Sequence, residues 1–293
     1  MADEGADAPL AAGLYVVATP IGNLGDLSPR AREILARADL VACEDTRFSG
    51  RLLNRFGIAT PRLSYHDHNA PRQRPVLLAR IKAGAAVALI TDAGTPLVSD
   101  PGYKLVRAVQ DAGLGVYAVP GPSALTAALS VSGIPTDHFY FAGFLPSRRA
   151  ARQKALAALA AYDCTLVIYE SPARLAAALA DMAVAFGGRE AAVARELTKL
   201  HEEVRRAPIG TLAAAYADAP PPRGEIVVLI GPAPAAREAM SEADIDRALT
   251  VALAEGPTAG AATRVAGLSG RPRRQIYARA VALKKAAAKG DGG

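Results

Sequence analysis

The sequence predicts an α/β protein of two α/β domains followed by a small helical module. Short apolar runs of strand length alternate with segments of helix length, the pattern of a mostly parallel sheet. The 293 residues are enough for two domains of ~150 residues, each with its own core. The predicted limits are a disordered tail at 1–13, an N-terminal α/β domain at 14–125, a C-terminal α/β domain at 126–234 and a basic helical module at 235–293.

The first predicted domain alternates five strands with helix signals. Ser28-Pro29 predicts a helix through 38, because serine caps helix N-termini and proline suits the first helical position. Asp100-Pro101 predicts another helix, at 101–111, for the same reason, and a third is expected at 71–82. The predicted strands are 14–18, 40–43, 63–65, 87–90 and 116–119.

The second predicted domain is also α/β, with fewer clean crossovers. A helix at 122–131 marks the change of domain, and a helix at 147–162 is basic at its front, where Arg148 and Arg149 lie. Glu170-Ser171-Pro172 is a strand-to-helix junction with proline at the first helical position. The predicted strands are 139–145, 165–169, 191–197 and 225–230.

The C-terminal module reads as three helices. Ser241 and Asp244 predict a capped helix start, and the helix continues to 254. Segments 258–266 and 272–285, with a turn at 267–270, form a helix-turn-helix-like pair. On the last helix, Ile276, Ala280 and Leu283 share one face. Residues 264–289 contain eight Lys or Arg and no Asp or Glu.

Composition and missing motifs exclude several classes of protein. The net charge of +6 favours an anionic partner, nucleic acid being the commonest. Cys43 and Cys164 are too few and too far apart for a disulfide framework, so we expect buried thiols in a reducing cytoplasm. The uncharged stretch 112–136 contains Pro120-Gly121-Pro122 and is therefore not expected to span a membrane. His66 and His68 have no obvious third ligand, so no metal site is predicted, and neither G-x-G-x-x-G nor a Walker A lysine is present.

Two turns of small residues follow apolar runs and predict a ligand site. The run 87–90 leads into Asp92-Ala93-Gly94-Thr95-Pro96, whose small residues let a ligand approach the backbone. Asp92 then lies at the carboxyl end of a strand, where open α/β sheets bind ligands. A second turn of this kind, 120–124, also follows an apolar run. Ordinary strand-to-helix turn chemistry is the alternative interpretation.

These motifs, in this order, resemble one known family. The chain is similar from about 14 to 230 to the 16S ribosomal RNA cytidine 2′-O-methyltransferases, a branch of the tetrapyrrole methylase superfamily. The C-terminal helical pair also resembles the module that these proteins carry, although Pro272 departs from the regular helix start expected there. The motifs are Ala18-Thr19-Pro20-Ile21-Gly22-Asn23-Leu24-Gly25-Asp26, Cys43-Glu44-Asp45-Thr46-Arg47, Thr91-Asp92-Ala93-Gly94-Thr95-Pro96, Pro120-Gly121-Pro122-Ser123-Ala124 and Tyr169-Glu170-Ser171-Pro172.

The resemblance implies S-adenosylmethionine as methyl donor, bound in a cleft between the two α/β domains. It further implies a cytoplasmic homodimer that modifies a decoding-site cytidine of the small ribosomal subunit. Ser123 and Ala124, at a helix N-terminus, are expected to receive the methionine carboxylate, with helix capping as the alternative role of Ser123. The predicted donor-binding residues are Pro20, Gly22, Asp92, Ala93, Gly94, Thr95, Ser123, Ala124, Ser171 and Glu225.

A general base on the ribose hydroxyl is expected among Glu44, Asp45 and Lys199, the lysine only if burial lowers its pKa. The acids beside Arg47 form an internal salt-bridge cluster in the alternative interpretation. The predicted RNA-binding residues are Arg47, Arg148, Arg149, Arg273 and Arg274. A solvated surface helix remains the alternative for the basic C-terminal segment. The alternative functions are a tetrapyrrole or diphthamide-precursor methyltransferase and a non-catalytic RNA-binding protein.

Overall fold

The computed structural model describes residues 9–234 and 240–290. The chain divides into two compact units, Met1–Pro232 and Ala233–Gly293. The predicted disordered tail lies for the most part outside the described residues, and Gly13 already belongs to the first strand. The domain limits at 125 and 234 stay predictions.

The first lobe of the larger unit is a wholly parallel five-stranded sheet covered by helices. The strand order is β3-β2-β4-β1-β5. Because every pair is parallel, the carboxyl ends of all five strands meet at one edge of the sheet. The elements are β1 (Gly13–Val17), α1 (Pro29–Arg37), β2 (Leu40–Cys43), α2 (Thr46–Arg55), β3 (Arg62–Ser64), α3 (Ala70–Lys82), β4 (Ala86–Leu89), α4 (Tyr103–Asp111) and β5 (Val116–Val119).

The second lobe begins with α5 and contains a mixed sheet. Its strand order is β6-β7-β10-β8-β9, in which only the β6–β7 pair is parallel. The mostly parallel pattern expected along the chain therefore holds for the first sheet and not for the second. The elements are α5 (Ala124–Ser132), β6 (Phe139–Phe144), α6 (Arg149–Leu159), β7 (Thr165–Glu170), α7 (Leu175–Phe186), β8 (Glu190–Arg195), β9 (Glu203–Pro208), α8 (Ile209–Ala217) and β10 (Ile226–Ile230).

Two features join the lobes. Helix α5 leaves the tip of β5 in the first sheet and packs on the second sheet through Ala128 and Leu129. Ile21, in the turn after β1, enters the same apolar cluster beside Val227 and Leu197. The edge of the first sheet is thereby held against the face of the second, which creates the cleft described below.

Helix α4 begins later than the sequence predicts, and the predicted cap at Asp100-Pro101 is wrong. It begins at Tyr103, after Gly102 at φ 136°, so Asp100 is not its N-cap and Pro101 is not its first residue. The chain before it is held in an irregular turn, in which Leu97 (φ 74°) and Ser99 (φ 65°) both adopt left-handed backbone conformations. This turn delays the helix and leaves Asp100 at the strand tips.

Helix α2 has no counterpart in the sequence prediction. It begins where the Asp45 side chain accepts a hydrogen bond from the Arg47 N–H. Its buried face consists of Ser49, Gly50 and Leu53. Two of these are small and not strongly apolar, so the amphipathic pattern of the helix comes mainly from its arginine face. Strand β9 and helix α8 were also not predicted. The helix start predicted at Pro172 is a 3₁₀ turn, Pro172–Arg174, that leads directly into α7.

The smaller unit contains α9 (Glu242–Ala254), α10 (Thr258–Ser269) and α11 (Arg273–Gly290). The capping box predicted from Ser241 and Asp244 is present, and Ile276 and Ala280 are buried in the core of the unit, with Leu283 packed against it. The turn predicted at 267–270 is shorter, because α10 continues to Ser269 and ends on left-handed Gly270. Pro272 directly precedes α11 and does not disturb its start. Among the described residues, no helix has the length and apolarity needed to cross a membrane.

Candidate active site between the two lobes

A cavity of about 400 Å³ lies between the lobes of the larger unit. This volume is in the range of small-molecule sites. We call it the central cavity. Its walls come from the carboxyl-end turns of the first sheet, from the start of α5, and from the strands and turns of the second sheet. The lining residues are Ile21, 91–95, 98–100, Ser123, Ala124, Phe144, 169–172, Ala194, Leu197 and 224–227.

Backbone hydrogen bonds fix three strand-tip turns to one another. The N–H of Thr19 donates to the Gly94 carbonyl at 2.9 Å, and the N–H of Gly94 donates to the Thr19 carbonyl at 3.0 Å. The Thr95 hydroxyl donates to the Pro122 carbonyl at 3.0 Å. Gly94 has a φ of +85°, and a Cβ added there would lie 3.3 Å from the Ile21 side chain. The turns after β1, β4 and β5 therefore form one rigid floor, and only glycine suits position 94.

The start of α5 contributes backbone donors, of which the Leu125 N–H is already bonded to the Tyr169 hydroxyl. Ser123 is the N-cap residue, but its side chain makes no capping hydrogen bond. Ser123 and Ala124 both line the cavity, so the first turn of the helix is at its wall. The N–H groups of a first turn lack helical partners and favour an anion.

The second lobe closes the cavity with a buried ion pair and two irregular turns. Glu170 is 3% exposed and pairs with Arg174 at 3.3 Å, and it accepts the Ser171 N–H at 2.8 Å. Glu196 (φ 52°) and Thr198 (φ 68°) adopt left-handed backbone conformations directly after β8. Such conformations in non-glycine residues cluster at functional sites, where the surrounding contacts hold them in place.

An acidic hollow of about 650 Å³ adjoins the central cavity and shares Asp92, Ser99 and Asp100 with it. Five carboxyl groups line it, together with two histidines. They belong to Glu44, Asp45, Asp67, Asp92, Asp100, His66 and His68. Among the described residues, no three His, Cys, Asp or Glu side chains are arranged to hold a metal ion.

The carboxyl groups of this hollow differ in their acidity. Burial raises the pKa of Asp100 to about 6, and the charges of Glu44 and Asp92 act in the same direction. Burial also raises the pKa values of Glu44 and Asp92. Asp45 is the opposite case, because hydrogen bonds from the Arg47 side chain and backbone lower its pKa to about 2. Asp100 and Glu44 therefore accept a proton near neutral pH more readily than Asp45 does.

A basic groove of about 530 Å³ also adjoins the central cavity and shares Ile21, Asp92, Ala93 and Glu225 with it. One side comes from the turn after β1 and from α2, the other from the turn after β8. The remaining lining residues are Pro20, Gly22, Leu24, Phe48, Arg51, Leu52, Arg55 and Lys199.

Lys199 belongs to this groove and is paired. Its ammonium contacts Glu196 at 2.7 Å and Glu225 at 3.3 Å. Partial burial acts to lower the pKa of Lys199, but the two carboxylates outweigh burial and the net pKa is raised. The lowered pKa that a lysine base requires is not found in this arrangement. Gly22 makes room for Lys199, since a Cβ at Gly22 would lie 2.4 Å from the lysine stem.

The structure brings most of the predicted donor-binding residues together. Pro20 and Gly22 line the basic groove rather than the central cavity. Glu44 and Asp45 line the acidic hollow, and Asp45 pairs with the highly exposed Arg47 at 3.0 Å, as in the salt-bridge alternative. The predicted residues that line the central cavity are Asp92, Ala93, Gly94, Thr95, Ser123, Ala124, Ser171 and Glu225.

The predicted RNA-binding arginines lie in three different places. Arg47 is on α2, and Arg148 and Arg149 stand at the start of α6, where Arg149 contacts the buried Asp181 at 3.3 Å. Arg273 and Arg274 are exposed on α11 of the smaller unit.

Several lining residues are absent from the predicted donor site, among them Asp100, Ile21 and Glu170. The sequence pattern around Asp100 predicts a helix cap instead. Ile21 and Glu170 lie inside two of the family motifs, and those motifs are the signal by which the sequence could have identified them.

Comparison with known proteins follows the same division of the chain. Residues 13–213 match the family model "Tetrapyrrole (Corrin/Porphyrin) Methylases", and residues 239–284 match "RsmI C-terminal HTH domain". A protein of Mesorhizobium japonicum, named ribosomal RNA small subunit methyltransferase I, is 52% identical over 97% of each chain. The chain belongs to this methyltransferase family. A Synechocystis member with the same name is 47% identical, over 90% of this chain and 95% of its own.

Solved structures of the wider superfamily share the fold of the two lobes. Uroporphyrin-III C-methyltransferase from Thermus thermophilus, solved in complex with S-adenyl homocysteine, aligns with a TM-score of 0.51 at 20% identity. The alignment covers 75% of this chain and 97% of that one. The expected architecture, two α/β lobes with a C-terminal helical module, is thus confirmed both for the family and for this chain.

Asp92 borders the central cavity, the acidic hollow and the basic groove. We expect Asp92→Ala to weaken S-adenosylmethionine binding by about 10- to 150-fold, the loss typical of a hydrogen bond to a charged group. Titration calorimetry measures this, with Asp67→Ala as the control, because Asp67 lines the acidic hollow but not the central cavity. Equal affinities in the two variants would remove Asp92 from the donor site.

Proposed function

We propose that this protein transfers the methyl group of S-adenosylmethionine to the ribose 2′-hydroxyl of a decoding-site cytidine in 16S ribosomal RNA. The observation that supports it most is that four of the five motifs shared with the family contribute residues to one cavity between the two lobes, and the fifth lines the adjoining acidic hollow. Relatives at 52% and 47% identity are named as ribosomal RNA small subunit methyltransferases. We further propose that it acts in the cytoplasm as a homodimer.

The residues of the central cavity suit a zwitterionic, cationic donor. The start of α5, at Ser123 and Ala124, offers unpaired N–H groups to the methionine carboxylate. The left-handed turn at Gly94 lets the adenosine portion approach the backbone, and Asp92 supplies a carboxylate beside it. When bound, the donor supplies an activated methyl group on a sulfonium.

Positioning supplies most of the acceleration in such a transfer. Positive charge leaves the sulfonium as the methyl departs, so no group on the protein has to stabilise a new cation. The rigid floor formed by Thr19, Gly94 and Pro122 fixes one reactant, and the lobe interface fixes its distance from the other. A base that removes the hydroxyl proton adds about 10²- to 10⁴-fold.

Asp100 is the base that the site supports best. It borders both the central cavity and the acidic hollow, so it lies beside the donor on the side open to the acceptor. Its pKa of about 6 leaves it ionised at neutral pH yet basic enough to take a proton. Glu44 is the second candidate. The lowered pKa of Asp45 makes it a weak base, and the raised pKa of Lys199 keeps the lysine protonated and unable to accept a proton.

No observation favours the alternative functions. The likeness to uroporphyrin-III C-methyltransferase is a likeness of fold at 20% identity. A non-catalytic RNA-binding role leaves the acidic hollow beside the donor cavity without a purpose.

Incubation with labelled S-adenosylmethionine and small subunits from a strain lacking the modification tests the function directly. We expect one labelled cytidine per subunit, mapped to the decoding site and resistant to alkaline cleavage on its 3′ side. Label on the base, or in another region of the RNA, would contradict the ribose assignment. Donor binding without label would favour the non-catalytic alternative.

The pH dependence tests Asp100. With both substrates below saturation, we expect kcat/KM to rise with pH through about 6 as Asp100 loses its proton. Asp100→Asn should abolish this rise and lower the rate by about 10²-fold or more while donor affinity stays intact. Asp45→Asn and Lys199→Met are the comparison variants, and a normal profile in Asp100→Asn would return the role to Glu44.

The basic module is proposed to add affinity for RNA of any sequence. Deleting residues 235–293 should weaken RNA binding and flatten its salt dependence, since each lost phosphate contact reduces the slope by about 0.7 for single strands. Fluorescence anisotropy across a salt series measures both. The Arg273→Gln/Arg274→Gln double variant separates charge from truncation. An unchanged slope in both proteins would leave α11 a solvated surface helix.

A further inference from the structure

The basic groove beside the central cavity has the composition of a site for single-stranded nucleic acid. Helix α2 presents Arg47, Arg51 and Arg55 at intervals of four residues, so the three guanidinium groups lie along one face. Phe48 lies between them in sequence and is 42% exposed, although it is a large apolar ring. Leu24, on the facing turn, is 44% exposed.

The aromatic ring and one arginine are already stacked. The Arg51 guanidinium carbon lies 5.3 Å from the centroid of the Phe48 ring. Unstacked bases bind to aromatic rings and to arginine planes in proteins that recognise single-stranded RNA. The Phe48 ring and the Arg51 guanidinium therefore form a preformed surface on which an unstacked base can stack.

The charges of this groove are available to a ligand. In the part of the chain that the structure describes, no carboxylate lies within 4.0 Å of a guanidinium nitrogen of Arg51 or Arg55. Arg47 is exposed over nine-tenths of its side chain, and its partner Asp45 is a near neighbour at the start of the same helix. Unpaired arginines along an apolar groove complement a chain of phosphates.

The two hollows beside the central cavity have opposite charge. The acidic hollow has five carboxyl groups and, among the described residues that line it, no Lys or Arg. The groove lined by α2, in contrast, has Arg51, Arg55 and the paired Lys199 against Asp92 and Glu225. A phosphate chain is repelled by the first and attracted by the second. Both share Asp92 with the central cavity, so a strand lying along the basic groove brings a nucleotide to the donor.

We propose that the groove formed by α2 and the turn at 20–24 binds the RNA strand next to the methylated nucleotide, with one base stacked on Phe48 and phosphates on Arg51 and Arg55. This inference depends on the proposed function, because it assigns the route by which the RNA reaches the same cavity. It adds Phe48, Arg51 and Arg55 to Arg47, the RNA-binding residue predicted on the same helix.

The full-length double variant Arg51→Gln/Arg55→Gln tests the phosphate contacts. We expect the KM for small subunits to rise about 10-fold or more, and the slope of log affinity against log salt to fall by about 1.4, the value for two lost single-strand contacts. Donor affinity by calorimetry should be unchanged. The matched control is Arg72→Gln/Arg80→Gln, which removes the same charge from exposed positions on α3 outside the groove.

Phe48 is tested by a conservative pair. Phe48→Ala should weaken binding of unmodified 16S RNA by about 5- to 150-fold, the range for one stacked base, and Phe48→Tyr should restore it. A purely structural role predicts instead that donor affinity and thermal stability fall together with RNA affinity.

The outcomes separate the two proposals. If the wild type methylates subunits and the groove variants match the α3 control in KM and salt slope, the groove assignment is wrong and the function stands. Loss of affinity for subunits with unchanged affinity for naked RNA would make the groove a protein-docking surface and overturn the RNA assignment. If the wild type neither binds nor methylates the RNA, the function fails, and the groove assignment fails with it.

Discussion

The pair of backbone hydrogen bonds between Thr19 and Gly94 is the contact on which the site depends. It joins the turns after β1 and β4, and the Thr95 hydroxyl extends the connection to the turn after β5. Backbone bonds do not depend on side-chain rotamers, so these turns are fixed to one another independently of the side chains that line the cavity. Ile21 leaves this floor and packs into the core of the second lobe, which sets the width of the cleft. The floor has to be tightly connected and also open to a ligand. The turns therefore consist of small residues.

Acidic and basic side chains line different hollows around this floor. Asp92 borders three hollows, of which one is acidic and one is basic. The separation lets a single cleft hold a cationic donor, keep carboxyl groups beside the acceptor hydroxyl, and admit a polyanion from the side of α2. Burial, with a further contribution from neighbouring carboxylates, raises the pKa of Asp100 to about 6. The cluster that repels phosphate is thus the same cluster that makes a carboxylate basic enough to accept a proton.

Strain is concentrated where the lobes meet. Ser99 and Glu196 have left-handed backbones on opposite walls of the cavity, and each belongs to a turn that contributes lining residues. Glu196 is held by Lys199 and by the Glu225 N–H at 3.2 Å, and Gly224 is left without a side chain to make room for it. Such conformations cost of order 1–3 kcal/mol each, and the ion pairs and packing around them offset that cost. Lys199 is accordingly better understood as a positioning group than as a base.

The sequence by itself determined where the strands of the first sheet lie along the chain and which motifs follow them. Apolar runs fixed the strands of the first sheet to within a residue or two, and the motifs after them supplied the cavity residues from Asp92 to Thr95. These succeeded because buried parallel strands and small-residue turns are local patterns. The tertiary structure alone decided the rest. Helix α2 buries Ser49 and Gly50, two small residues that a sequence pattern does not mark as core. Asp100 lies at the cleft rather than at a helix cap because Leu97 and Ser99 adopt left-handed backbone conformations before α4 begins. The raised pKa of Asp100 likewise depends on burial and on Glu44 and Asp92, which no local pattern around Asp100 encodes. The Asp45–Arg47 pair, in contrast, is local in the sequence.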